Sequence, residues 1–221
     1  GSTYTLSNLT FGSTDYVGIG VLPVNSAADA TFTLTAYPNY PYLLDEQDVT
    51  IHSNQNINLE AGTIFKLLGD AAIIVNGQLN ALSVANNPIV FTSILDDAYG
   101  GDTNQDSSVT SPSLGNWNSV IVGGEGEGNF EHCKFYYGGN HTSGITLRNY
   151  GTMSVDNCHF EESGSPHTFY GQHIGLGVAL GSTYTLSNLT FGSTDYVGIG
   201  VLPVNSAADA TFTLTAYPNY P

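Results

Sequence analysis

Side chains that could bind a metal ion are concentrated in one stretch of the chain. They are Asp96, Asp97, Asp102, Asn104 and Asp106. The last three stand at alternate positions, as ligands do in the first half of an EF-hand loop, but the twelfth position of such a loop is Ser113 instead of glutamate. Four carboxylates in one loop repel one another unless a cation lies between them, and calcium prefers oxygen ligands. The residues therefore predict a Ca²⁺ site; the alternative is a solvated acidic turn held by its own hydrogen bonds.

Two cysteines, Cys133 and Cys158, occupy the same place in a recurring motif. The pattern apolar-x-x-apolar-x-Phe is found at residues 130–135, 155–160 and 186–191. If the motif marks stacked strands, the two thiols lie about one strand spacing apart, which is within disulfide range but also typical of a buried reduced pair. The sequence favours the reduced pair. A catalytic thiol is not expected, because the histidine next to each cysteine in a strand points to the opposite face.

The composition indicates a β-protein with an acidic surface. Of the 221 residues, 41% are hydrophobic and 11% aromatic, with 19 acidic and only 3 basic side chains. Frequent β-branched and aromatic residues, with few helix formers, favour strands. The net charge of -16 argues against nucleic acid as a partner and suits a cation-rich environment. No apolar run reaches the roughly 20 residues of a membrane span.

The chain contains a long exact duplication. Residues 1–41 are identical to residues 181–221, an offset of 180 positions (181 minus 1). Shared fold constraints alone do not preserve every residue of a repeat, so a tandem array is expected. We therefore predict that residues 1–41 are the end of one repeat unit and residues 42–221 one full unit.

Short apolar runs separated by glycine and asparagine predict strands at several places. Among them are residues 49–51, 57–59, 73–75, 89–91 and 120–122. Together with the regular spacing of the motif, these runs predict an all-β parallel β-helix with about seven coils in each repeat unit. A β-sandwich is the alternative, but it needs two-residue hairpin turns, and only Asn76-Gly77 has that sequence.

Five segments resemble a known family. They are NINLEAGTIFK (56–66), IVNGQLNA (74–81), PIVFTS (88–93), DDAYGGDTNQD (96–106) and GNW (115–117). They are similar to the right-handed parallel β-helix repeat region of giant bacterial extracellular surface and adhesin proteins. The resemblance covers about residues 42–165, and it implies a structural or adhesive array with calcium in the acidic loop. Asn116 and Asn118 depart from the aspartate and glycine that the family usually has beside Trp117.

The function expected from these features is a calcium-stabilised structural segment of a secreted surface filament or adhesin stalk. Its partners would be further copies of the repeat, in tandem or as neighbouring subunits, at the cell surface. The alternative is an adhesin module that binds glycans or cell surfaces along its flank.

A pectin-lyase-like enzyme is the least favoured alternative, because catalytic bases are scarce. The basic residues are Lys66, Lys134 and Arg148, and Lys66 is distant in sequence from the acidic loop. Hydrolases on this fold need paired carboxylates with supporting histidine and lysine. Asp96 and Asp97 form a pair, but the Gly-His-Gly and Arg-x-Lys sequences that would accompany them are missing. The chain is therefore expected not to be an enzyme.

Overall fold

The computed structural model describes residues 9–11, 15–21, 29–140, 144–164, 174–192 and 198–202. The first ten strands are β1 (Ile19–Gly20), β2 (Ala30–Leu34), β3 (Tyr42–Asp45), β4 (Val49–Ile51), β5 (Gln55–Leu59), β6 (Ile64–Leu68), β7 (Ile73–Val75), β8 (Gln78–Leu82), β9 (Ile89–Ser93) and β10 (Val120–Val122). The others are β11 (Glu127–Glu131), β12 (Cys133–Tyr136), β13 (Ile145–Asn149), β14 (Thr152–Asp156), β15 (His159–Glu161), β16 (Ile174–Ala179), β17 (Thr183–Ser187), β18 (Thr190–Phe191) and β19 (Ile199–Leu202). These residues include no helix, and so none that is long and apolar enough to cross a membrane.

The strands form three sheets in which every neighbouring pair is parallel. Sheet A has the order β1-β3-β6-β9-β12-β15-β18, sheet B the order β17-β14-β11-β8-β5-β2, and sheet C the order β19-β16-β13-β10-β7-β4. From β2 onward the chain visits sheets B, A and C in turn, and each circuit stacks on the previous one. This confirms the predicted all-β parallel β-helix.

The described strands from β2 to β19 make six circuits of the three sheets, and β1 adds part of another. The coils begin at Ala30, Gln55, Gln78, Glu127, Thr152 and Thr183. Most of these starts are evenly spaced, but the third coil is about twice as long as its neighbours, because the segment 94–119 forms an extended loop between β9 and β10. The sequence-based expectation of seven coils assumed an even spacing throughout, which does not allow for this loop.

Alternation of apolar and polar residues determines which side of each strand is buried. In β8 the side chains of Leu79 and Ala81 are buried in the solenoid, whereas Asn80 on the outer face is partly exposed. β11 repeats the pattern in register with β8. On the outer face, Asn80 donates hydrogen bonds to Asn58 at 2.9 Å and Asn56 at 3.1 Å, and accepts one from Asn129 at 3.0 Å. Burial therefore sets the strand register, and amide hydrogen bonds join successive coils outside.

One aromatic column runs through the core beneath sheet A. Its rings belong to Tyr42, Phe65, Phe91, Phe135, Phe160 and Phe191, each paired with the next in register. Successive centroids are 4.9 to 5.6 Å apart. Offset ring pairs of this kind contribute about 0.5–1.5 kcal/mol each beyond the area they bury. The column explains the phenylalanine that ends each predicted motif.

The motif also marks the bend between sheets B and A. His132, Asn157 and Asn188 occupy equivalent positions at this bend, and their φ angles are 50°, 51° and 52°. Asparagine tolerates this left-handed conformation better than most residues. The amide of Asn188 donates to Asp156 Oδ1 at 2.9 Å. Asn188 therefore has a structural role at the coil bend.

The two copies of the duplicated sequence have different surroundings where both are described. Ile19–Gly20 pairs with β3 in sheet A, whereas the second copy of these residues begins β19 and pairs with β16 in sheet C. Phe11 packs against Tyr40 at 5.5 Å, while its copy Phe191 stacks on Phe160. Residues 1–8, 12–14 and 22–28 of the first copy, and residues 193–197 and 203–221 of the second, lie outside the described residues.

Candidate metal centre

The acidic loop is closed at its far end by a buried tryptophan. Trp117 is fully buried, and its indole N–H donates to the carbonyl of Tyr136 at 2.7 Å. The ring lies against Gly138, where an added Cβ would be 2.8 Å from Trp117 Cζ2. The packing of Trp117 against the next coil therefore holds the end of the loop on the solenoid.

At its near end the loop is held by Asp96, one of the five predicted calcium ligands. Asp96 is 4% exposed; its carboxylate accepts hydrogen bonds from Thr92 Oγ1 and from the backbone N–H of Ala98. Its hydrogen bonds are therefore those of a loop anchor.

Three of the predicted ligands meet above this anchor. Carboxylate oxygens of Asp97, Asp102 and Asp106 all lie within 4.8 Å of one another. Asp102 accepts hydrogen bonds from the backbone N–H groups of Asp106 at 3.1 Å and Ser107 at 2.9 Å, which fold the loop back on itself. The structure thus brings together three of the five predicted ligands.

The fifth predicted ligand, Asn104, lies at the edge of this group. Its Nδ2 donates to Asp106 Oδ2 at 2.8 Å, so its Oδ1 is the atom left for another partner. Among the described residues, Asn104 Oδ1 and Asp97 Oδ1 are both buried from solvent and have no hydrogen-bond partner. Buried oxygens without partners are costly, and a cation would satisfy both.

Asp106 is kept in its charged form by hydrogen bonds. Hydrogen bonds lower the pKa of the Asp106 carboxyl. The largest effect comes from the Thr110 hydroxyl, and the backbone N–H groups of Thr110 and Val109 add to it. An ionised carboxylate is the form that binds calcium. The group contains oxygen ligands alone, with neither histidine nor cysteine, which suits a hard cation.

Lys66 is a part of the site that sequence reasoning missed. It lies in β6, in register with Thr92 of β9, and its Nζ donates to the Gly101 carbonyl at 2.7 Å and to Thr103 Oγ1 at 2.6 Å. Burial lowers the pKa of Lys66 to about 8, although the carboxylates of Asp96, Asp97 and Asp102 oppose this shift. Lys66 is distant from the acidic loop in sequence, so the sequence did not indicate that its amine contacts the loop. The only signal was a charged residue within an apolar strand.

Tyrosine and lysine side chains fasten the loop to the outer face of sheet A. The rings of Tyr99 and Tyr136 stack at 5.3 Å, and their hydroxyls are 3.1 Å apart. Lys134 Nζ lies 5.7 Å from the Tyr99 ring centroid, in cation–π geometry. Burial raises the pKa of the Tyr136 hydroxyl, which keeps that group neutral. These contacts hold the loop in place beside the carboxylates.

The two cysteines are stacked inside the solenoid. Both thiols are free and buried, and the backbone N–H of Cys133 donates to Cys158 Sγ at 3.4 Å. Burial raises the pKa of the Cys133 thiol well above its usual value. The favoured reading of a reduced core pair agrees with this arrangement.

No family model, curated protein or solved structure matches the chain. The resemblance to bacterial surface proteins therefore remains a prediction from the sequence.

Proposed function

We propose that this chain is a structural tandem-repeat segment of a long extracellular bacterial surface protein, a filament or adhesin stalk, stabilised by calcium. The observation that carries the proposal is the stacking of parallel coils in a chain whose segment 1–41 recurs exactly at 181–221. Each coil of a solenoid contacts only its neighbours, so the molecule lengthens by repetition without a new core.

We assign calcium to the acidic loop because the loop offers several oxygen ligands and because its carboxylates repel one another when no cation is bound. Three carboxylates lie within 4.8 Å of one another. In addition, Asp97 Oδ1 and Asn104 Oδ1 are buried oxygens that lack partners within the described part of the chain. We assign the ligand set to Asp97, Asp102, Asn104 and Asp106. Asp96 orients the loop below them.

The same chemistry supports the proposed extracellular location. Calcium sites in extracellular modules have dissociation constants of about 0.1–1 mM, which suits a calcium-rich medium. The net charge of -16 would also be screened by the salt and divalent ions of such a medium.

Imaging chains of one, two and three units tests the stalk. Six coils at about 4.8 Å each should lengthen the particle by about 29 Å per unit at constant width. A compact particle that grows in all directions would contradict a stalk. Antibody labelling of intact cells tests the location, and labelling only after lysis would contradict a surface protein.

Glycan binding is a second candidate, favoured by a polar groove at the corner between sheets C and B. The groove has a volume of about 490 Å³ and is lined by amides and carboxylates, including Asn54, Asn56, Gln78, Glu125 and Glu127. Such groups pair with sugar hydroxyls. Binding on a glycan array that Asn56→Ala weakens and Asp70→Asn, on an exposed turn, leaves unchanged would favour this function over a spacer alone.

Catalysis is not part of the proposal. Lys66, the base nearest the carboxylates, is fully buried, and its Nζ is engaged by Gly101 and Thr103. A substrate could reach this amine only if the loop opened.

A further inference from the structure

The position at which the β2 sequence recurs fits the spacing of the coils. The sequence of β2 recurs at positions 210–214, and the last described coil begins with β17 at Thr183. The separation of these two starts resembles that of the other coils. β17, β18 and β19 lie in sheets B, A and C, so a strand of sheet B is due next, and β2 belongs to that sheet. If the copy of β2 takes that place in an array, one unit comprises six coils and the following unit begins in phase.

The side-chain columns also match between the two ends of the unit. The aromatic column begins with Tyr42 in β3 and reaches Phe191 in β18. On the outer face of sheet B, one column of amides and hydroxyls begins with Thr33 and reaches Thr185. Joining two units would stack the ring of Tyr42 in one unit on that of Phe191 in the other, and would place Thr33 beside Thr185.

Strand β2 pairs along one of its edges with β5. The Ala30 N–H donates to Asn54, and the Leu34 carbonyl accepts from Glu60, so these residues face β5. Because backbone groups alternate along a strand, the N–H groups of Thr31 and Thr33 point the opposite way. Within the described ranges, no strand pairs with that edge of β2.

Strand β1 occupies the neighbouring edge out of phase. The Ile19 N–H donates to the Pro41 carbonyl at 2.8 Å, and Ile19 pairs with Tyr42. In the second copy, the residue that continues the aromatic column in sheet A is Phe191, and the copy of Ile19 lies in sheet C. β1 therefore lies beside Tyr42 at the position where, in an array, Phe191 of the preceding unit would stack.

We propose that the coil β2–β3–β4 is the docking face for the coil β17–β18–β19 of a preceding unit. Thr33 then lies beside Thr185, Tyr42 stacks on Phe191, and β1 leaves β3. This inference rests on the proposed tandem array and specifies its junction.

The test compares the single chain with a two-unit chain in which the segment 1–180 precedes the complete sequence. Hydrogen exchange is measured at the amides of Thr31 and Thr33 in the downstream unit. Docking should slow both amides at least about 100-fold in the two-unit chain, because each becomes part of an interior ladder.

A proline substitution provides a second readout with a matched control. Thr33→Pro removes an N–H that faces away from β5, so the single chain should keep its Tm, as edge strands tolerate proline. At the junction of the two-unit chain it should lower the Tm of the junction coils by about 5 °C, whereas Thr33→Val, which retains the N–H, should not.

Equal exchange rates in both chains, or a Thr33→Pro variant that is harmless in both, would overturn the docking register. The stalk proposal fails separately, by imaging or by cell labelling. If the junction docks as proposed but the protein is not found at the cell surface, the docking register is retained and only the stalk proposal fails.

Discussion

Calcium should raise the unfolding temperature of this protein, and the size of the effect can be worked from the acidic loop. With a dissociation constant of about 0.1 mM, 10 mM calcium is about 100 times that constant and stabilises the folded state by about 2.7 kcal/mol. In a domain of about 200 residues, 1 kcal/mol shifts the Tm by about 2–4 °C. The Tm should therefore rise by about 5–10 °C over that in chelator.

Asp97→Asn should remove this shift while leaving the calcium-free protein as stable as before, or more so. Carboxylate oxygens of Asp97, Asp102 and Asp106 lie within 4.8 Å of one another, so the three charges repel one another when no cation lies between them. The substitution removes two of the three repulsions among Asp97, Asp102 and Asp106. The wild type should thus be the more stable protein in calcium but not in chelator.

Differential scanning fluorimetry or calorimetry in calcium, magnesium and chelator, at constant ionic strength, makes the measurement. Magnesium should have a smaller effect, since it prefers tighter octahedral geometry. Asp70→Asn is the matched control, because Asp70 is an exposed acid outside the cluster, and this variant should keep the full calcium shift. Equal Tm values in calcium and chelator, or a full shift in Asp97→Asn, would refute the assignment.

Three further substitutions test the core, the loop closure and the buried lysine. Phe135→Ala should cost about 3–5 kcal/mol in denaturant unfolding, because the ring stacks at 4.9 Å on both sides; a loss below about 1 kcal/mol would contradict a packed column. Gly138→Ala should lower the Tm by several degrees, since its Cβ would clash with Thr146 Cγ2 and would be 2.8 Å from Trp117 Cζ2, whereas Gly124→Ala, with open space around it, should not; equal effects would contradict this close packing beside Trp117. The pKa of Lys66 is about 8 when folded, below its usual 10.5, so the unfolded state binds more protons between these values and stability rises with pH. In chelator, the stability of wild type relative to Lys66→Met should therefore increase by up to about 3 kcal/mol between pH 7 and 10.5, and a flat difference would argue against a buried amine.

Much of the fold was predictable because solenoid contacts are local in sequence. The phenylalanine of each motif reports the aromatic column directly, since each coil repeats the same inward positions. The coil count was less accessible, because the third coil contains a loop whose length no periodicity reveals. Composition was enough to identify the acidic loop, but it did not distinguish the roles of the individual acids. Asp96 and Asp97 are neighbours in sequence, yet Asp96 anchors the loop and Asp97 belongs to the carboxylate cluster.

The sequence by itself determined the strand pattern, the stacking of like residues and the acidic character of one loop, because alternation and composition are properties of short segments. Only the tertiary structure decided the position of Lys66 beneath that loop and the closure of the loop by Trp117, since both depend on coils that meet through stacking. The duplicated segment shows the difference most clearly. The same residues lie in sheet A at Ile19 and in sheet C at Ile199, because a strand joins whichever edge its neighbours present.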